Sequence, residues 1–320
     1  MKALILSGGG ARGAYQVGVL KAIGELVQEN QLQNPFHIFS GVSAGSINAS
    51  FMASVCDDFH RGTEALCQLW GQLTSDQVFR TDLLSFGKIG FKWIEDLSMG
   101  GLTGPVSGRS LLDTSPLGKL LSNNLKYSKV SENLSNHHFK ALAITALDYR
   151  TSETITFVQG DPDLPNWERP RRKSEKTFIQ TDHIMASSAI PLLFPPIGVG
   201  NRFFGDGCVR SIAPLSPALH LGADQLLIIG VRKKTEHSPE PSTHLEQPPS
   251  VAKVANVVLN SVLLDGIEVD LERLLKINEF VRRVPPEHQT NLNFKKVSPI
   301  FISPTEDIGK LAYEMSSRLP

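Results

Sequence analysis

His37-Ile-Phe-Ser-Gly-Val-Ser-Ala-Gly45 is the stretch that decides the fold of this chain. Residues 37–40 read as a short buried strand, and the glycine-framed Ser43 follows at once. Residues 46–55 then read as a helix. A second unit of the same build lies upstream. Ala3-Leu-Ile-Leu6 reads as a buried strand running into Ser7-Gly-Gly-Gly10, and residues 14–27 place Tyr15, Val17, Leu20, Ile23 and Val27 on a wide helical face. Two strand–glycine turn–helix units within the first 55 residues indicate an α/β protein with a mostly parallel central sheet.

Working outward, further strands are expected at 140–146, 154–158 and 225–231. Residues 160–176 and 236–250, rich in proline and charge, read as exposed loops. From 251 to 284, Val254, Val257, Ile267, Leu271, Leu274 and Phe280 recur at helical spacing. No repeat or linker divides the chain, so residues 1–320 are expected to form a single domain, with a helical C-terminal part (about 251–320) packed on it. Residues 83–102 hold large apolar groups and end in Gly100-Gly101. Core packing is the default for such a segment, and a lid over a ligand site the alternative.

The composition excludes several classes of function. Lys+Arg and Asp+Glu both total 32, and this neutral balance argues against a nucleic-acid partner. Peripheral membrane contact stays open, because it can rest on apolar loops instead of charge. The three cysteines, Cys56, Cys67 and Cys208, form neither a CxxC pair nor a disulfide framework. Asp57-Asp58-Phe59-His60 fits an exposed loop better than a metal site, so no metal and no cofactor are expected. The apolar runs are too short for a signal peptide or a membrane span, which points to the cytoplasm, with peripheral membrane attachment as the variant.

Gly41-Val42-Ser43-Ala44-Gly45 matches G-x-S-x-G. A serine on a sharp strand-to-helix turn needs small neighbours, and its Oγ then projects above the positive end of the following helix. Ser43 is therefore the expected nucleophile of an ester hydrolase. The loop Gly8-Gly9-Gly10-Ala11-Arg12-Gly13 fits two readings. As G-x-G-x-x-G it resembles a dinucleotide site, but Phe39 and Ser40 stand where the second strand should end in an acidic residue. As an oxyanion hole it directs backbone N–H groups at one point, with Arg12 adding positive charge.

A serine nucleophile needs a base. Of the nine histidines, His220 has the chain order of an α/β-hydrolase triad, yet it sits at the end of what reads as a packed helix. Asp206, in Phe203-Phe-Gly-Asp-Gly-Cys-Val209, suits a carboxylate on a tight turn at a partly dry site. Desolvation there would raise its pKa and make it a better base.

Three elements appear in order: Gly8-Gly-Gly-Ala-Arg-Gly13, Gly41-Val-Ser-Ala-Gly45 and Asp206-Gly207. Together they resemble the patatin-like phospholipases. Ile144-Thr-Ala-Leu-Asp148, Ala186-Ser-Ser-Ala-Ile-Pro-Leu-Leu-Phe-Pro-Pro196, Ala213-Pro-Leu-Ser-Pro-Ala218 and Ser303-Pro-Thr-Glu-Asp-Ile-Gly309 are similar to bacterial members. The resemblance implies a three-layer α/β/α fold, a lipid acyl-ester substrate and a Ser–Asp dyad without histidine. Ser43 would be nucleophile, Asp206 its proton acceptor, and the loop from Gly8 the oxyanion hole. One position departs from the family pattern: Cys208 stands where Gly or Ala follows the Asp-Gly pair. It is small enough to keep the turn, and as a buried cysteine it reads as packing rather than as a thiolate.

Overall fold

The computed structural model describes residues 1–80, 112–233, 266–285 and 295–316, with positions 248, 250, 254, 257, 260 and 261 between them. The lid candidate at 83–102, most of the loop expected at 236–250 and much of the pattern from 251 to 265 lie outside the described residues.

A ten-stranded sheet forms the middle layer. At its centre β1 (Lys2–Leu6) runs parallel to β2 (Ile38–Val42) on one side and to β9 (Gln225–Ile229) on the other. Strand β10 (Ser298–Ile302) extends the sheet beyond β9, and β3 (Ala141–Asp148) continues it beyond β2, both in parallel. Next come β4 (Glu153–Gly160), antiparallel to β3, then β6 (Arg172–Lys176) and the short β5 (Glu168–Arg169). Every residue of β2 and β3 is buried. Their near-continuous apolar runs follow from helices covering both faces.

Alternation along the strands sorts the core into two layers. Leu4, Leu6, Phe39, Leu142 and Ile144 face one side. There they meet α1 (Gly13–Glu29), α2 (Ala44–Val55), α3 (Phe59–Gly71), α5 (Ser115–Asn124), α6 (Tyr127–Ser135) and α7 (Thr181–Ser187). The short α4 (Ser75–Val78) precedes α5. Ala3, Ile5, Ala141, Ala143 and Ile228 face the other side, against α8 (Ser216–His220) and α9 (Gly266–Arg283). On α9 the buried residues Ile267, Leu274 and Val281 recur every seven positions, a single stripe toward the sheet. Helix α10 (Ile308–Ser316) ends the described chain. The arrangement is the expected α/β/α sandwich with a mostly parallel sheet.

Three local expectations need correction. Residues 160–176 are not simply a loop, because they contain β5, β6 and the buried Trp167. Asp57 and Asp58 belong to a 3-10 turn, and α3 begins at Phe59, which is buried. Asp58 caps that helix by accepting from Arg61 N (3.3 Å). The C-terminal part is not purely helical, since β10 joins the sheet.

One detail of register places the candidate site residues. β2 follows one edge of β3 only as far as Val42, opposite Thr145. The next position on that edge, Ala146, is taken by Asp206 at the end of β8 (Arg202–Asp206), which runs antiparallel to β3 and pairs outward with β7 (Ile197–Val199). The two strands thus meet head-on along β3. Ser43 leaves one and Asp206 closes the other.

Candidate active site

Ser43 sits at φ 54°, ψ −130°, a conformation that a non-glycine residue adopts at a cost of about 1–3 kcal/mol. Backbone packing on both sides enforces it. A Cβ on Gly41 would lie 2.2 Å from Gly45 O, and one on Gly45 would lie 2.1 Å from Leu6 O, so only glycine fits at either position. The glycines of the elbow thus let α2 start directly above the end of β1. Ser187 completes the restraint. Its Oγ accepts from Ser43 N (3.0 Å) and donates to Thr145 O (2.7 Å), which bridges the elbow to β3. Sequence reading passed over Ser187; its one signal was a pair of serines in the otherwise apolar Ala186–Leu193 run.

Asp206 is completely buried. Its Oδ1 accepts from Cys208 N (2.8 Å), and its own N–H donates to Ala189 O (2.8 Å). Oδ2 is buried without a hydrogen-bond partner. Burial pushes the carboxyl up to about 6, against the opposing pull of the nearby Ser43 hydroxyl and the Cys208 N–H. The hydroxyl is close enough to favour the ionised form, yet it is not in hydrogen-bonding geometry with Oδ2. Such contacts often tighten only when substrate binds. An ion cluster steadies the strand that carries Asp206. Arg202 Nη1 lies 3.3 Å from the buried Asp148 on β3, and its Nη2 pairs with Glu175 on β6, with the guanidinium over the Phe204 ring.

The glycine loop abuts both groups. A Cβ on Gly8 would lie 2.3 Å from Cys208 Sγ and 3.0 Å from Ser43 Cβ. Gly10 adopts φ +55° and opens a 3-10 turn (Gly10–Arg12) that leads into α1. A buried polar chain holds the turn from below. Gln16 Nε2 donates to Ser7 O (2.8 Å), Asn48 Nδ2 to Gln16 Oε1 (3.0 Å) and Trp70 Nε1 to Asn48 Oδ1 (2.7 Å). This chain ties the loop to α2 and α3, and no motif announced it. Arg12 points away from this cluster. Its guanidinium reaches Gly309 at the start of α10 and does not line the cavity beside Ser43.

Of the rival candidates, Cys208 lies in the site and His220 does not. Burial and the Asp206 charge push the Cys208 thiol well up, which keeps it protonated. His220 stacks on Trp167 (5.1 Å between centroids), on the side of the sheet that holds α8 and α9. Among the described residues no cluster of three His, Cys, Asp or Glu side chains could hold a metal.

Gly10, Ala11, Ser43 and Ser188 open onto a cavity of about 450 Å³. Its walls are otherwise almost wholly apolar, with Ile47 and Phe51 from α2, Trp70 from α3, Leu117 and Leu121 from α5, and Phe194. The volume lies in the ~300–1,000 Å³ range of small-molecule sites.

The family model described as Patatin-like phospholipase matches residues 4–219 of the 320, which hold the glycine loop, the elbow and the Asp-Gly turn. This chain belongs to the patatin-like phospholipase family. Among solved structures, this patatin-like phospholipase is similar to VipD from Legionella pneumophila (15% identity, TM-score 0.41), covering 94% of its own length and 61% of that chain. It is also similar to the heterodimeric ExoU–SpcU complex of the Pseudomonas aeruginosa type III secretion system (16% identity, TM-score 0.28), covering 91% and 56%. It thus spans about three fifths of the chains it matches, and with TM-scores this low neither likeness bears on mechanism. No curated protein sequence matches it.

Proposed function

We propose that this patatin-like phospholipase hydrolyses lipid carboxylic esters by acyl transfer through a Ser43–Asp206 dyad. The observation that carries the reading is the unpartnered Oδ2 of Asp206, buried beside a strained serine at the edge of an apolar cavity. A carboxyl near 6 is ionised at neutral pH yet basic enough to take a proton in the transition state. Ser43 Oγ attacks the ester carbonyl and passes its proton to Asp206. The N–H groups of the glycine loop at Gly10 and Ala11, which adjoin Ser43 in the cavity wall, are the proposed donors to the oxyanion. Collapse expels the alcohol, which takes the proton back from Asp206. Water then attacks the acyl-enzyme and yields a proton to Asp206; collapse breaks the acyl–Oγ bond, releases the carboxylic acid, and Asp206 returns the proton to Ser43 Oγ.

The apolar walls fit an acyl chain, each buried methylene of which contributes about 0.8 kcal/mol. We assign lipid access to peripheral contact with a membrane surface, which can rest on apolar groups alone. No described helix is long and apolar enough to cross a membrane. Ser43→Ala is the test. Turnover of phospholipid, lysophospholipid, glyceride and aryl ester substrates should vanish together with fluorophosphonate labelling, while circular dichroism stays unchanged. A folded variant with parental turnover on any of them refutes the proposal.

A further inference from the structure

A second cavity, of about 90 Å³, lies on the opposite face of the sheet from the acyl cavity. The alternation of β3 and β4 puts it there: Ile144, Ala146, Ile155 and Phe157 belong to the first layer, whereas Thr145, Thr154 and Thr156 point into this pocket. Three arginines line it, Arg171, Arg172 and Arg210, together with the hydroxyl-bearing Ser211 and Ser216. No carboxylate is among its described lining residues. Arg172 Nη1 is buried and has no hydrogen-bond partner.

Burying a guanidinium N–H without an acceptor is costly, because the group gives up water and gains nothing in exchange. The carboxylate that feels the Arg172 charge, Asp270, does not relieve it: Asp270 shares its charge with Arg273, and its Oδ2 accepts from Leu215 N (3.0 Å). His220, stacked on Trp167 at the same edge, reports the local field. Burial and the positive charges of Arg169 and Arg172 hold it below its ordinary range.

We propose that this pocket binds a small soluble phosphate oxyanion, either free phosphate or a phosphomonoester group. Arginine donors with hydroxyls between them match a tetrahedral oxyanion, which Arg can contact bidentately. The volume is several times the ~10–15 Å³ that a single water needs, enough for such a group and too small for a lipid tail. Arg210 closes the 3-10 turn (Gly207–Arg210) that Asp206 caps. An anion held by Arg210 therefore pins that turn, whether or not the chain hydrolyses esters.

Thermal unfolding of the full chain, with inorganic phosphate titrated against chloride at constant ionic strength, tests the proposal. Phosphate should raise Tm saturably by several degrees, and calorimetric titration should give a matching Kd. Arg172→Gln and Arg210→Gln should each weaken binding tenfold or more, while Ser43→Ala leaves it unchanged. Ser216→Glu, which supplies an internal carboxylate, should abolish the phosphate response. No rise beyond the chloride control overturns the proposal, as do arginine variants that bind as tightly as the parent. Arginine-dependent binding to phosphatidate vesicles with no response to inorganic phosphate also overturns it.

Discussion

Asp206→Asn should make the protein inactive and, at neutral pH, more stable. A carboxyl held at about 6 instead of 3.8 carries an ionisation penalty of about 3 kcal/mol, at about 1.36 kcal/mol per pH unit. The native pKa lies above the unfolded one, so the folded state binds the extra proton between pH 3.8 and about 6. Parental stability therefore falls as pH rises through that window, and the whole penalty is present above it. Asparagine carries no such penalty. Its Oδ1 can still accept from Cys208 N, and its amide can donate toward Ser43. The gain should be about 1–3 kcal/mol at pH 7.5, shrinking to nothing near pH 4. For domains of 150–250 residues about 2–4 °C in Tm corresponds to each kcal/mol, so the shift is measurable. Urea midpoints for parent and variant across pH 4 to 8 provide the assay, and parental kcat/KM should show an acid limb near 6. A variant less stable than the parent at pH 7.5, or a gain that does not change with pH, would refute the reasoning that burial sets this carboxyl.

Other outcomes follow from the same geometry. Ser187→Ala leaves Ser43 N and Thr145 O without their shared partner. It should cost about 1–3 kcal/mol of stability and lower kcat by about tenfold to a hundredfold, as urea unfolding and steady-state kinetics will show. Gly8→Ala should lower kcat by about a hundredfold, the scale of a lost oxyanion donor. Adding Cys208→Gly, which removes the Sγ lying 2.3 Å from the new methyl position, should restore part of it; no rescue would mean that the clash is not what displaces the loop. Ile47→Trp should shift the preferred ester toward shorter acyl chains without loss of fluorophosphonate labelling, because Ile47 lines the apolar wall of the cavity and is no part of the proposed dyad.

The elbow and the glycine loop were legible in the sequence because their constraints are local. Gly41 and Gly45 are demanded by atoms within a few residues or in the adjoining strand, and short motifs record that kind of demand. The Asp206 environment was legible for a similar reason, an apolar approach ending in a tight turn. Ser187, Gln16, Asn48 and Trp70 were not, since each acts through a partner far away in the chain and carries no spacing signal. Strand β6 was hidden by its composition: Arg172-Lys-Ser-Glu-Lys176 is charged at four of five positions, with Lys173 and Glu175 paired to Glu153 and Arg202 and Arg172 turned into the second pocket. The direction of the Arg12 side chain was not legible, because a motif fixes where a backbone goes, whereas this long side chain follows α10, which a sequence does not place next to it.

The head-on meeting of β2 and β8 along β3 also has a kinetic side. Residues 43 and 206 are brought together by two independent pairings with a third strand, and both must form before the proposed dyad is assembled. Closing so long a span of chain is slow compared with local helix formation. During refolding, helical signal should therefore recover before any ester is cleaved. Turnover in this molecule is a late-forming property, and its return marks the moment at which β8 docks.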